Sequence, residues 1–435
     1  MSTGKLQQAI IDAASAELAA SPALEKYYFA GKQGYAMKHG SRWIMLPQES
    51  QVKQHLLRDG IDKADMGLAL CHLRMENYVD HMGPLAGYPV GIHDNVDTGG
   101  KLLVTIGPAI IESKPGSSAN ITRMLRTMLD DPNHPDQFKA VMGWLRQARE
   151  NVITCSRRPL PVLALVGPRG CGKSLLIEIA RLALGGRAAC CYNALTGGQF
   201  NGGTVGAELL TIDDKAASSN NRTRTTIAQN IKAMLFAASA RIESKHKDET
   251  TLRPVWAMIL AVNDEAEHLG VLPVLDDSMA DKISLISCRR ADVEGMTREE
   301  IGEAITAEMP AFLHSLERYE LPEHLRDRRT GAGAYQHPDV LAIVADISNE
   351  RRLLELIRQC WGITEGGTWT GTADELQGLL AKDPTTVTSA RSLLSWDKAC
   401  GTYLSRLAED GRCGIAKGGH KSGIQTYTIT VPGDG

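Results

Sequence analysis

The sequence predicts an α/β protein built on a mainly parallel sheet, and three observations carry that prediction. Between about residue 136 and residue 320, short apolar runs alternate with helical patterns, the order that places helices over a parallel sheet. One of those runs, PVLALVG, passes straight into a glycine-rich loop, GPRGCGKS, and then into the helical pattern SLLIEIARLAL. Two further apolar runs end on polar side chains: AELLTIDD on Asp213 and Asp214, and WAMILAVND on Asn263.

Bulk properties set the frame. A chain of 435 residues is too long for one ordinary core and divides into several domains. With 43% hydrophobic and 23% charged residues it is a folded chain and not a disordered one. The formal charge of −3 excludes a global attraction to nucleic acid, so phosphate binding requires a local basic surface. The opening MSTGKLQQAIIDAASAELAA is amphipathic and lacks a signal-peptide core, and no apolar run is long enough for a bilayer. The expectation is a cytoplasmic protein without membrane contact. Nine cysteines are scattered, with one adjacent pair, Cys190 and Cys191, and no spacing that suits zinc; reduced structural thiols are expected.

Residues 1–135 read as a mixed α+β region: a helical start, then strand-like runs YAMKHG, RWIMLP and KLLVTIGPAII, broken by GIHDNVDTGGK and SKPGSS. Asp94 and Asp97 in HDNVD are a conceivable metal pair, but beside a Gly-Gly they read more simply as hairpin-turn residues.

The loop Gly167, Pro168, Arg169, Gly170, Cys171, Gly172, Lys173 and Ser174 fits the phosphate-loop pattern GxxxxGK[ST] in full, after a strand and before a helix. Its glycines let backbone N–H groups turn toward phosphate oxygens, and the helix N-terminus adds a favourable dipole. ATP with magnesium is the expected ligand, Lys173 reaching the β- and γ-phosphates and Ser174 the metal. Asp213 is expected to hold the metal shell and Asp214 to orient the attacking water as general base. Asn263 would sense the γ-phosphate or position the water; the plainer alternative is a cap. No guanine-specific signature follows, which weighs against a GTPase.

Just before the third run stands SKHKDETTLRP, residues 244–254, with Lys245, His246 and Lys247 in succession. Taken alone it is a solvated turn. After the glycine loop, HPDVLAIVADISNERRLLELIRQCWG is helical, DRRTGAGAYQHP before it reads as an exposed connection, and the chain closes on a short helix, a longer helix with Leu404 and Leu407 on its apolar side, and two strands joined by a Gly-rich, Lys-bearing loop.

In this order, phosphate loop, Asp-Asp strand and Asn strand resemble the superfamily 3 helicases, the ring-forming AAA+ motors of small DNA viruses, phages and plasmids. Residues 207–288 are similar to the helicase part of phage and plasmid primase-helicase proteins related to the poxvirus enzyme. The resemblance implies an AAA+ ATPase core at 136–320, a helical connector and winged-helix domain at 321–435, and a hexamer with ATP and magnesium between subunits. It implies a DNA helicase serving replication of a mobile element, with a separate primase or polymerase as partner. It implies that Lys245 and His246, with Lys247 beside them, sit at a hairpin tip in the central channel and grip single-stranded DNA. In the last domain Arg391, Lys398, Arg406, Lys417, His420 and Lys421 would face nucleic acid, unless that domain is a protein-binding module.

This chain departs from the family at one place: ADKISLI carries Lys282 where an arginine finger is common. Lysine supplies charge without the bidentate fork. Arg289, Arg290 and Arg253 are the other trans-acting candidates. The first 135 residues are short for a primase and hold no carboxylate triad, so no primer synthesis is expected. Two rival readings remain: an ATP-switched initiator or regulator that does not unwind DNA, and a P-loop ATPase in signalling or defence.

Overall fold

The computed structural model describes residues 21–430 except 199–200, 214–220, 244–248, 265–268, 274, 276, 347–348, 361–362, 364–366, 411–413 and 422. The chain forms two compact units, a larger one that ends at His337 and a smaller one that begins at Pro338.

The larger unit opens with an antiparallel meander of β1 (Tyr27–Phe29), β2 (Tyr35–His39) and β3 (Arg42–Leu46). Helices Glu49–Arg58 and Met66–Met75 close over it, burying Leu24, Tyr27, Leu56 and Leu73 in one cluster. A second small sheet has the order β4-β6-β5, from β4 (His81–Gly83), β5 (Gly91–Asp94) and β6 (Lys101–Val104). Of HDNVDTGG, His93 and Asp94 end β5 and residues 95–100 make the turn to β6, with the Gly99 N–H donating to the Asn95 carbonyl at 2.8 Å. The run KLLVTIGPAII is a strand only to Val104. Beyond it Gly107 lies against the backbone of Pro89 and Val90, and Pro108, which has no N–H for a ladder, packs on Gly185.

The central sheet comprises β7 (Val162–Val166), β8 (Ala188–Cys190), β9 (Leu209–Asp213), β12 (Ala257–Val262) and β13 (Ile283–Ser287). Its order is β13-β7-β12-β9-β8, and every neighbouring pair is parallel. Between β9 and β12 the chain makes an antiparallel ribbon of β10 (Ala240–Ile242) and β11 (Thr250–Leu252). Because β7 and β12 are buried on both faces, they read as continuous apolar runs without alternation. Helices Ala119–Leu129, Asp136–Ile153, Lys173–Ala183 and Arg298–Glu317 supply the covering layer. The last of these begins with a capping box in which Thr297 and Glu300 satisfy each other's backbone N–H groups. Buried Arg149 ties three segments together, donating to Glu317, to the Ala183 carbonyl and to the Ile111 carbonyl at 2.8–2.9 Å.

The connection DRRTGAGAYQHP is folded onto this unit. It forms the short hairpin β14 (Arg326–Asp327) and β15 (Gly331–Ala332), then runs beside β13, where the Leu285 N–H donates to Tyr335 and the His337 N–H donates to Leu285. The larger unit therefore extends past residue 320 to His337.

In the smaller unit, helices Pro338–Asp346, Asn349–Gln359, Ala373–Leu380, Val387–Leu393 and Ala399–Asp410 accompany an antiparallel sheet of β16 (Thr368–Thr372), β17 (Ile415–Lys421) and β18 (Ile424–Thr430) in the order β16-β18-β17. Leu353, Leu376, Tyr403, Leu404, Leu407 and Ile429 form its core. Among the described residues no helix is long and apolar enough to cross a membrane.

Candidate nucleotide site

The site is assembled at the carboxyl edge of the parallel sheet, the edge at which open α/β sheets bind ligands. β7 leads into the glycine loop, and the loop's path is dictated by contact with the chain that leaves β13. A Cβ at Gly167 would stand 2.3 Å from the Cys288 carbonyl oxygen, so only glycine fits there. Gly170 and Gly172 take positive φ of 74° and 115°, which side chains disfavour. The Ala291 N–H donates to the Cys171 carbonyl at 2.8 Å and the Cys288 N–H to Val166 at 2.7 Å, so residues 288–291 clasp the loop from outside. Pro168 and Arg169 are exposed at its rim and Cys171 is buried beneath it. Burial pushes the Cys288 thiol up, the neighbouring Cys171 adds to this, and Lys173 opposes it, so the thiol stays neutral.

β12 lies between β7 and β9, with Val262 opposite Val166 and Ala261 opposite Asp213. That order brings three strand ends together. Lys173, 6% exposed, donates from Nζ to the carbonyls of Gly167 (2.7 Å) and Pro168 (3.0 Å) and to Asn263 Oδ1 (2.9 Å). Beside it the Ser174 hydroxyl donates to Asp213 Oδ2 at 3.0 Å. An ammonium held by three neutral oxygens and the Cys171 Sγ (3.8 Å), next to a hydroxyl paired with a carboxylate, is a donor set for phosphate oxygens and for a small hard cation respectively. Lys173, Ser174, Asp213 and Asn263 thus meet at one place, while Asp214 and the Lys245, His246, Lys247 cluster lie outside the described residues.

The finger candidates are scattered. Lys282 stands at the opposite edge, where its carbonyl accepts from the Val162 N–H. Its ammonium pairs with Asp281 at 2.5 Å and lies 5.6 Å from the Phe236 ring centroid. Arg253 grips both oxygens of Asp97 at 2.6–3.1 Å, which gives that turn aspartate a tertiary role. Arg289 is paired with Asp131. Arg290 is exposed and has no partner among the described residues.

Sequence reasoning missed Asp131 and the clasp at 288–291. Asp131 is 7% exposed; its burial works to raise its pKa, but the Asn133 N–H (2.9 Å), Arg289 and His337 outweigh that and hold the carboxyl below the usual aspartate value. The only sequence signal was the SCRR stretch after an apolar run, which does not reveal a carboxylate 158 residues earlier.

The family model that matches the chain is described as "Family of unknown function (DUF5906)" and covers residues 165–279, from the end of β7 past β12. A search of curated proteins gives no match. Among solved structures, the apo structure of the NrS-1 C terminal region (305-718) is similar with a TM-score of 0.57 at 15% identity, covering 94% of this chain and 97% of that one. The A form apo structure of the same region gives a TM-score of 0.55 at 13% identity with the same coverage. At such identities the likeness is one of fold, and it extends over nearly the whole of both chains.

Proposed function

We propose that the chain is an ATP-dependent DNA helicase of the superfamily 3 type, acting as a hexamer in the replication of a phage, plasmid or other mobile element. The observation that carries this reading is the meeting of Lys173, Ser174, Asp213 and Asn263 at the ends of three adjacent parallel strands. The sequence resemblance and the fold shared with the NrS-1 C terminal region support it.

In this reading the residues divide the work as follows. Lys173 exchanges the loop carbonyls for β- and γ-phosphate oxygens, which bring far more negative charge to the ammonium than peptide oxygens do. Ser174 and Asp213 hold magnesium, which neutralises phosphate charge when bound. Asn263, released from Lys173, directs its amide toward the γ-phosphate or the attacking water, and Asp214 takes the proton from that water. Hydrolysis then moves the Lys245, His246 and Lys247 segment, carried between β10 and β11, along a DNA strand.

The smaller unit serves as a winged helix in this scheme. Lys417 is paired with Glu409 at 2.8 Å, Lys421 with Glu375 at 2.7 Å and Arg406 with Glu350 at 2.7 Å. DNA contact there falls to Arg391, Lys398 and His420.

The test is ATP hydrolysis with and without single-stranded DNA. Lys173→Ala is expected to lower turnover by roughly a hundredfold or more, since little else in the site offsets charge on the transferring phosphoryl group. Lys245→Ala/His246→Ala is expected to keep basal turnover and lose DNA stimulation. Full ATPase activity in Lys173→Ala removes the assignment; a wild-type rate indifferent to DNA moves the protein to the switch or signalling ATPases.

A further inference from the structure

Far from the glycine loop, near the starts of β7 and β13, lies a second cavity of about 850 Å³. Helix Asp136–Ile153 forms one wall, Arg158 another, and the β14–β15 hairpin with its approach the third. Its shape is fixed by close packing. A Cβ at Gly143 would meet the Leu321 side chain at 2.6 Å, and one at Gly331, where φ is +79°, would meet Gln147 Oε1 at 2.1 Å and Arg158 Cζ at 3.1 Å.

Arg146, Arg158, Arg326 and Arg328 line this cavity, and none of them forms an ion pair among the described residues. Three are tethered by backbone carbonyls: Arg146 Nη1 to Tyr319 (2.8 Å), Arg326 Nε to Leu321 (2.6 Å), and Arg158 to Arg328 (2.9 Å) and Arg329 (3.2 Å). A guanidinium has five N–H donors, so each tether orients the fork and leaves most of its donors available. The acids on the same wall, Glu150, Glu323 and Asp327, offset only part of this charge, with Arg158 acting on Asp327. Asp327 is turned into its own hairpin, where Oδ1 accepts from the N–H groups of Arg329 and Thr330 at 2.8 Å, and Glu150 and Glu323 are exposed on the rim. Four guanidiniums against three carboxylates leave the space net positive, and an oxyanion with several acceptor oxygens supplies the charge that the acids do not.

We propose that this cavity is a binding site for phosphate-ester oxyanions, supplied either by a single-stranded nucleic-acid backbone or by a free oligophosphate. The site is separate from the one at Lys173, and the inference does not depend on what that site hydrolyses.

The test uses the full chain carrying Lys173→Ala, Lys245→Ala and His246→Ala, so that the glycine loop and the 245–246 cations no longer compete for anions. Binding of a labelled oligothymidylate is followed by anisotropy over a salt series, and binding of inorganic pyrophosphate by calorimetry. Adding Arg326→Gln/Arg328→Gln is expected to weaken binding about tenfold and to lower the salt slope for the oligonucleotide by roughly two. Loss confined to pyrophosphate identifies a free oligophosphate as the ligand; loss for the oligonucleotide identifies the backbone. Glu323→Gln, which leaves the arginines intact, is expected to tighten the same ligand severalfold. Unchanged affinity for both ligands in the arginine variant, or weaker binding in Glu323→Gln, overturns the proposal.

Discussion

Arg290 stands apart from the other cations near the site. Arg253 and Arg289 are held by Asp97 and Asp131, and Lys282 by Asp281, whereas the guanidinium of Arg290 is free among the described residues. Its backbone is another matter, because Cys288 and Ala291 on either side are bonded to the glycine loop of the same chain. On the proposed reading, that anchorage keeps Arg290 with the glycine loop of its own chain and not with a neighbour's. Arg290→Ala is therefore expected to weaken ATP binding about tenfold, and mixing it with Lys173→Ala is expected to restore no hydrolysis, as read by turnover in mixed preparations. Recovery on mixing would make Arg290 a trans-acting group. At this scale much of the site was legible. Lys173, Ser174, Asp213 and Asn263 each end or follow an apolar run, and a polar residue at the end of a buried strand is visible in one dimension. The state of each arginine was not, because its carboxylate lies 156 or 158 residues away in sequence.

The elements themselves followed from periodicity, but their neighbours did not. β7, β9 and β12 announce themselves as apolar runs bounded by polar or glycine residues, yet nothing in the runs says that β12 inserts between the other two. Packing at the starting end of these parallel strands helps to fix the insertion. At the starting end of β9, Glu208 is fully buried, accepts from the Gly87 N–H at 2.9 Å and pairs with Arg187, which is itself 19% exposed. The Val255 N–H just before β12 donates to Ala86 at 3.0 Å, so the segment around residues 86–87 joins the early α+β region to two strands of the sheet. Removing one partner of a buried pair leaves the other charge uncompensated. Glu208→Ala is expected to cost about 3–5 kcal/mol in chemical denaturation. Glu208→Gln, which keeps an acceptor for the Gly87 N–H, is expected to cost less; equal losses would mean that the hydrogen bond carries none of the effect. The run KLLVTIGPAII shows the limit of pattern reading: its apolar content continues past Val104, but Gly107 and Pro108 are shaped for close contact and not for pairing.

Across the whole larger unit, carboxylates act as long-range clamps, and their titration is expected to set how the molecule responds to acid. Arg253 hydrogen bonds to Asp97 and holds its pKa down against a burial effect that would raise it. For Asp131 and Glu317 burial is the largest influence and works upward, but Asn133, Arg289 and His337 in the first case, and Ser113 and Arg149 in the second, reverse it. Each clamp joins segments more than 150 residues apart in sequence. A carboxyl whose folded pKa lies below its unfolded value, about 3.9 for Asp and 4.3 for Glu, stabilises fully above the unfolded value and loses that contribution as pH falls through the folded one. Thermal unfolding followed by circular dichroism is therefore expected to show a nearly constant midpoint from pH 7 to pH 5 and a steep fall below about pH 4. Asp97→Asn should melt earlier than wild type at pH 7, and the gap should narrow as pH falls below the ordinary aspartate value and through the lowered folded pKa of Asp97. A decline concentrated between pH 7 and 5.5 would take the acid response away from these carboxylate clamps. In that case Asp97→Asn would leave the shape of the curve unchanged, and the two profiles together decide whether the clamps set the acid response.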